Sequence, residues 1–101
     1  MNLSQLDAFL LLADGFNVTE TAERLFCTQP SVSIKIRKLE EELQTTLFER
    51  INNRLYLTPQ GKVYQQYATQ IINLVKSSAE HMRQFDDPSK GEIKFGASHF
   101  V

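Results

Sequence analysis

Apolar positions along the chain keep a helical period, break once into alternation, and then return to the helical period for a long run. From Ser4 to Ala13 the residues Leu3, Leu6, Phe9, Leu10 and Ala13 fall on one face, with Asp7 opposite. Gly15 stands where such a helix would stop. Asn17 or Thr19 can cap a second, short helix running to about Phe26, with Val18, Ala22 and Leu25 turned inward. Thr21 and Ala22 are small enough for a close helix approach. About three residues then lead to a third helix, which is the spacing of a helix-turn-helix. Thr28 caps that helix, because its hydroxyl can accept from a free N–H of the first turn. Gln29 and Pro30 fill the first turn, where the N–H that proline lacks costs little. Val32, Ile36, Leu39 and Leu43 make the inward stripe of a helix predicted over 28–43.

The alternating stretch follows Gln44-Thr45-Thr46. Leu47-Phe48-Glu49-Arg50 and Arg54-Leu55-Tyr56-Leu57-Thr58 flank the pair Asn52-Asn53, which predicts a small hairpin. Arg50 and Arg54 stand at its tip, as in a wing set beside a helix-turn-helix. Thr58-Pro59-Gln60-Gly61 then opens a fourth helix, with a cap followed by proline at the first position. It runs to about Phe85, roughly 27 residues and ~40 Å. Its stripe of Tyr64, Ala68, Ile71, Ile72, Val75, Ala79, Met82 and Phe85 is longer than a small domain can cover. That predicts a homodimer in which Ala68, Ile71, Ile72, Val75, Ala79 and Met82 meet the same stripe of a second chain. Asp86-Asp87-Pro88-Ser89-Lys90-Gly91 has the composition of a linker, and Glu92 to Gly96 alternates like a first strand. The expected division is therefore 1–58 a winged helix-turn-helix, 59–86 a dimerisation helix, and 87–101 a hinge and first strand of a truncated domain. The fold class is mainly α, a three-helix core with a two-stranded β wing. The chain reads as the front part of a longer protein.

Charge changes this picture locally rather than in total. The formal net charge is −1. From Met1 to Glu23 there are four acids and no base, whereas Arg24 to Tyr64 holds seven bases against four acids. The basic segment coincides with the third helix and the hairpin, a local electrostatic footprint. The outer face of the third helix offers Gln29, Ser31, Ser33, Ile34, Lys35, Arg37 and Lys38, with no acid before Glu40. Short polar and basic side chains without carboxylates suit a partner rich in phosphate and base-edge acceptors.

Other chemistries find little support. The single cysteine, Cys27, cannot form an internal disulfide and reads as a small buried hydrophobe in the turn. His81 and His99 lack metal-ligand spacing with it. Glu40-Glu41-Glu42 reads as the solvated end of a helix, and the four glycines are isolated. No secretory signal and no bilayer-spanning stretch is legible, so the expected place is the cytoplasm, away from membranes. The expectation is a binding module, without a cofactor of its own, rather than an enzyme.

Leu6, Phe9, Thr21-Ala22, Leu25, QPSVS at 29–33, LEEEL at 39–43, LFER at 47–50 and LTPQG at 57–61 occur in an order and spacing that resembles the N-terminal domain of LysR-type transcriptional regulators. The likeness covers nearly the whole chain. It implies a winged helix-turn-helix, a linker helix that pairs two subunits, and a C-terminal domain of periplasmic-binding-protein type that takes a small-molecule effector. EIKFGAS at 92–98 resembles the first strand of that domain. By resemblance Thr28, Gln29, Pro30 and Ser33 lie at the DNA groove, and Arg50 and Arg54 belong to the wing. Two positions depart from the pattern: Ile34 stands where the family often has arginine, and Gln44 where it usually has glycine. Ile34 can meet a thymine methyl but cannot bond guanine.

The reading is a double-stranded-DNA-binding module for a dyad-symmetric operator. Gln29, Ser33 and Ile34 would read base edges, and Thr28, Ser31, Lys35, Arg37, Arg50 and Arg54 would hold phosphate. Two alternatives stay open: a winged-helix module that binds protein, and a fragment of a sensor or enzyme whose chemistry lies beyond Val101. Pairing of dimers into tetramers at full length also stays open.

Overall fold

The computed structural model describes residues 1–85; the hinge and strand expected over 87–101 lie outside the described residues. Four helices and one hairpin follow in the order α1 (Leu3–Ala13), α2 (Val18–Arg24), α3 (Gln29–Leu43), β1 (Phe48–Ile51), β2 (Arg54–Leu57) and α4 (Pro59–Phe85). This is a winged helix-turn-helix extended by a 27-residue helix.

Side chains open each of the first three helices. Asn2 Oδ1 accepts from Gln5 N–H at 2.8 Å, so α1 begins one residue before the expected Ser4. At α2 the cap is Asn17, not Thr19. Its side chain accepts from Glu20 N–H at 2.7 Å, and the Glu20 carboxylate accepts from Asn17 N–H at 3.0 Å, a reciprocal box. Thr28 Oγ1 accepts from Ser31 N–H at 3.3 Å.

The same three helices close in one geometry. Gly15, Phe26 and Gln44 all take positive φ, at 105°, 55° and 54°. In each case the residue's own N–H returns to the carbonyl three back, and the next N–H to the carbonyl five before it. The paired bonds are Gly15→Leu12 with Phe16→Leu11, Phe26→Glu23 with Cys27→Ala22, and Gln44→Glu41 with Thr45→Glu40. Gly15 alone is the residue type this conformation favours. Gln44 therefore ends α3 where a glycine would, despite the substitution. α2 stops at Arg24, short of the expected Phe26, because Phe26 turns left-handed and projects into solvent, 95% exposed.

The hairpin is antiparallel, with Phe48 opposite Leu57 and Ile51 opposite Arg54. Its two-residue turn, Asn52-Asn53, has φ of 51° and 64°. Two successive left-handed residues give a type I′ turn, whose twist matches that of the strands.

The core gathers Leu6, Phe9, Val32, Leu39 and Leu47, all buried. The Phe9 ring lies 5.5 Å from Phe48 and 5.6 Å from Tyr64, tying α1 to the hairpin and to α4. Burial, and secondarily the Glu42 carboxylate, raises the pKa of the Tyr64 phenol above its ordinary value. Cys27, expected to be buried in the turn, is half-buried.

α4 supplies Ala68 and Ile72 to this same core, with Ala68 fully covered. Both were expected in the seam with a second chain. Their own domain already covers them, because α4 packs against α1.

Candidate nucleic-acid interface

Three adjacent rows at i, i+4 spacing build the outer face of α3. Gln29, Ser33 and Arg37 form one, all exposed. Pro30, Ile34 and Lys38 form the next, also exposed. Ser31 and Lys35 form the third, half-buried, and Lys35 Nζ donates to Ser31 Oγ at 2.8 Å. That bond holds the ammonium against the first turn, where the free N–H groups of the helix already favour an anion. Thr28 stands exposed at the start of the same face. Among the described residues, no carboxylate pairs with Lys35, Arg37, Lys38, Arg50 or Arg54.

Clefts on either side of α3 sort the expected residues into two groups. On one side the start of α1 and the first turns of α3 enclose Ser4, Gln5, Thr28, Pro30, Ser31, Ile34, Lys35 and Lys38. On the other, Ser33 and Arg37 of α3 meet Arg50 of the wing in a second cleft. A third cleft continues from there, where Arg50 and Arg54 face Asn17, Thr19 and Tyr56 across the start of α2. The expected residues thus form a continuous surface from the cap of α3 to the tip of the wing. Gln29 lines none of these clefts and is exposed at the first position of α3.

Thr19, Tyr56 and Lys38 belong to this surface and were not among the expected site residues. Lys38 was legible, since it continues the Pro30–Ile34 row. Thr19 and Tyr56 were not, because only the folded hairpin brings β2 beside α2. Glu40 departs from expectation in another way. It is half-buried, and its carboxylate accepts from the N–H groups of Leu47 and Phe48 at 2.7 and 3.2 Å. It is not part of a solvated acidic run.

Of the residues expected in the seam, Ile71, Val75, Ala79 and Met82 are exposed. They border a second apolar stripe on α4, made by Val63, Tyr67, Leu74 and Phe85, of which Phe85 alone was in the expected stripe. Leu74 is 70% exposed.

The model for bacterial regulatory helix-turn-helix proteins of the lysR family matches residues 3–62. The chain belongs to the LysR family. It is 41% identical over 98 residues to YwqM of Bacillus subtilis (strain 168), named an HTH-type transcriptional regulator, covering 97% of this chain and 33% of that protein. Its fold superposes on the BenM DNA-binding domain in a complex with catB site 1 DNA, with a TM-score of 0.80 and 30% identity. That match covers 86% of this chain and 97% of the other. The CbnR DNA-binding domain in a DNA complex matches with a TM-score of 0.79 and 29% identity, over 86% of this chain and all of the other. The chain spans about a third of the length of YwqM and of several other curated relatives.

Two further findings bear on chemistry. Among the described residues no cluster of His, Cys, Asp and Glu could hold a metal ion. No helix among them is long and apolar enough to cross a membrane.

Proposed function

We propose that this chain is the DNA-reading and dimerising part of a bacterial LysR-family transcriptional regulator. The observation that carries the reading is the surface running from Thr28 to the wing, five basic side chains of which form no ion pair with a carboxylate among the described residues. Each phosphate of a duplex offers one of them a partner.

In this reading α3 enters the major groove by its first turns. Gln29 at the start of the helix, Ser33 one turn on and Ile34 meet base edges: Gln29 can bond adenine through both the oxygen and the nitrogen of its amide, and Ile34 can cover a thymine methyl. Pro30 shapes the leading turn. Thr28, Ser31, Lys35, Arg37, Arg50 and Arg54 take phosphates, with Arg54 at the wing tip the residue best placed for the neighbouring minor groove. Residues 1–58 form the reading domain and 59–86 the linker helix. Two chains joined through α4 would present two such faces to a dyad-symmetric operator. The remainder of a full-length protein would bind a small-molecule effector and could pair dimers into tetramers, in the cytoplasm.

Selection of bound duplexes from a random pool, followed by titration across salt, tests this. The expected result is one enriched motif with dyad symmetry, and an affinity whose logarithm falls with log salt at a slope of several units. No enrichment, together with flat salt dependence, would favour a protein-binding winged helix instead.

A further inference from the structure

The segment Thr46–Phe48, between α3 and β1, is bonded to both long helices at once. Leu47 N–H and Phe48 N–H both donate to the Glu40 carboxylate of α3, at 2.7 and 3.2 Å. Leu47 C=O accepts from Thr58 N–H at 3.0 Å, and Thr46 C=O accepts from the Thr58 hydroxyl at 2.6 Å. The same hydroxyl accepts from Gly61 N–H at 2.9 Å in the first turn of α4.

The strand register explains why Glu40 is needed. Continued by one pair, the hairpin ladder would send Leu47 N–H to Thr58 C=O. That carbonyl is taken by Lys62 N–H at the start of α4, at 2.9 Å. Leu47 N–H would be left without a partner on a fully buried residue, and Glu40 supplies one. Gly61 closes the junction. A Cβ there would stand 2.3 Å from Leu47 O and 2.8 Å from Leu57 Cδ2, so α4 lies directly on the Leu47 carbonyl. From Glu40 to Gly61 every link is a direct bond or a backbone contact.

We infer that Glu40 is a positioning residue that fixes the angle between α3 and α4, and through it the half-site spacing the protein accepts. This rests on the DNA-reading, dimeric function proposed above. A linker helix that joins two chains transmits its direction to both reading helices, so a small swing at this junction becomes a change in their separation. Glu40 would therefore act on specificity without touching DNA.

Two measurements test it. In the first, duplexes carrying two selected half-sites, with spacers varied by single base pairs, are titrated with the parent chain, Glu40→Ala and Glu40→Gln. The ratio of best-spaced to mis-spaced affinity should fall about fivefold or more in Glu40→Ala, while single half-site affinity holds. Glu40→Gln keeps one acceptor and should recover much of the ratio. A uniform loss at every spacing, or no loss, overturns the inference. In the second, spin labels at Glu41→Cys and Ser77→Cys, on a Cys27→Ser background diluted with unlabelled protein, report the angle between α3 and α4 without DNA. The distance distribution should broaden in Glu40→Ala, and an unchanged distribution overturns the inference. If the parent chain selects no duplex, the proposed function fails, and the labels still decide whether Glu40 sets the angle.

Discussion

α3 and α4 are both amphipathic, yet they leave opposite chemistries uncovered. α3 buries one apolar stripe, Val32, Ile36 and Leu39, completely within its own domain. Outside remain the polar and basic rows, with Pro30 and Ile34 exposed among them and Glu41 and Glu42 exposed at the far end. α4 buries Gly61, Ala68 and Ile72 in the same way, but keeps a second apolar stripe bare, from Val63 and Tyr67 through Leu74 to Phe85. An uncovered basic face calls for an anionic partner, and an uncovered apolar stripe for an apolar one. A second copy of α4, the partner proposed above, would supply it by symmetry. The face each helix does not use for its own fold thus describes what it is meant to meet.

Leu74→Glu should break the α4 side of this comparison, with the largest effect. Leu74 is the most exposed member of the bare stripe and contributes nothing to the core. A carboxylate there would be buried without a partner in a two-fold seam, at a cost of about 3 kcal/mol or more. Sedimentation should find monomers at concentrations where the parent chain is dimeric, with an unchanged thermal melt at equal monomer concentration. A variant that remains dimeric would place the seam elsewhere on the protein.

Gln29→Ala should break the α3 side. Its exposed place in the first turn of α3 lets it reach a base edge, and losing that contact should cost about 2 kcal/mol on the selected site. The loss should be confined to that site, with preference relaxed at one base pair. Equal weakening on random duplex would reassign Gln29 to the backbone.

Arg54→Ala sharpens the comparison within the reading surface itself. It sits at the wing tip beside the Asn52-Asn53 turn, unpaired among the described residues. Removing it should weaken every duplex evenly and flatten the salt slope by about one unit. A shift in preference for A·T flanks would instead mark it as a minor-groove reader. An unchanged slope would remove the wing from the interface.

How much of this was legible before folding differs along the same line. The α3 face could be read from spacing alone: cap, proline, inward stripe and basic rows are all local. α4 could not be divided that way. Periodicity says that Ala68, Ile72 and Val75 share a face; whether their own domain or another chain covers it depends on where α1 lies. Ala68 and Ile72 went to the core, and Tyr67 and Leu74, off the expected stripe, were left bare. Glu40 was hidden for a related reason. Its partners lie seven and eight residues on, past a left-handed turn, and a run of three glutamates gives no sign that one of them turns inward.

Phe26 is the residue that fits neither side of the comparison, and it gives the smallest expected effect. It is apolar and almost wholly exposed, two residues ahead of the cap of a helix whose outer face is polar. It also holds the left-handed conformation that α1 assigns to Gly15. For a residue with a Cβ that conformation costs about 1 kcal/mol, and an exposed ring returns little of it through burial. Asparagine tolerates the left-handed region and avoids the extra unfolded-state entropy of glycine. Phe26→Asn should therefore stabilise the fold by about 0.5–1 kcal/mol, read as a higher urea midpoint at unchanged m-value. The matching change at the end of α3, Gln44→Gly, should gain less, because the entropy that glycine loses on folding offsets part of the relief. A lower midpoint for Phe26→Asn would mean the ring is held by contacts that its exposure does not register. A higher midpoint with weaker duplex affinity would put the ring in the interface, with strain in the turn retained for a contact that only the partner completes.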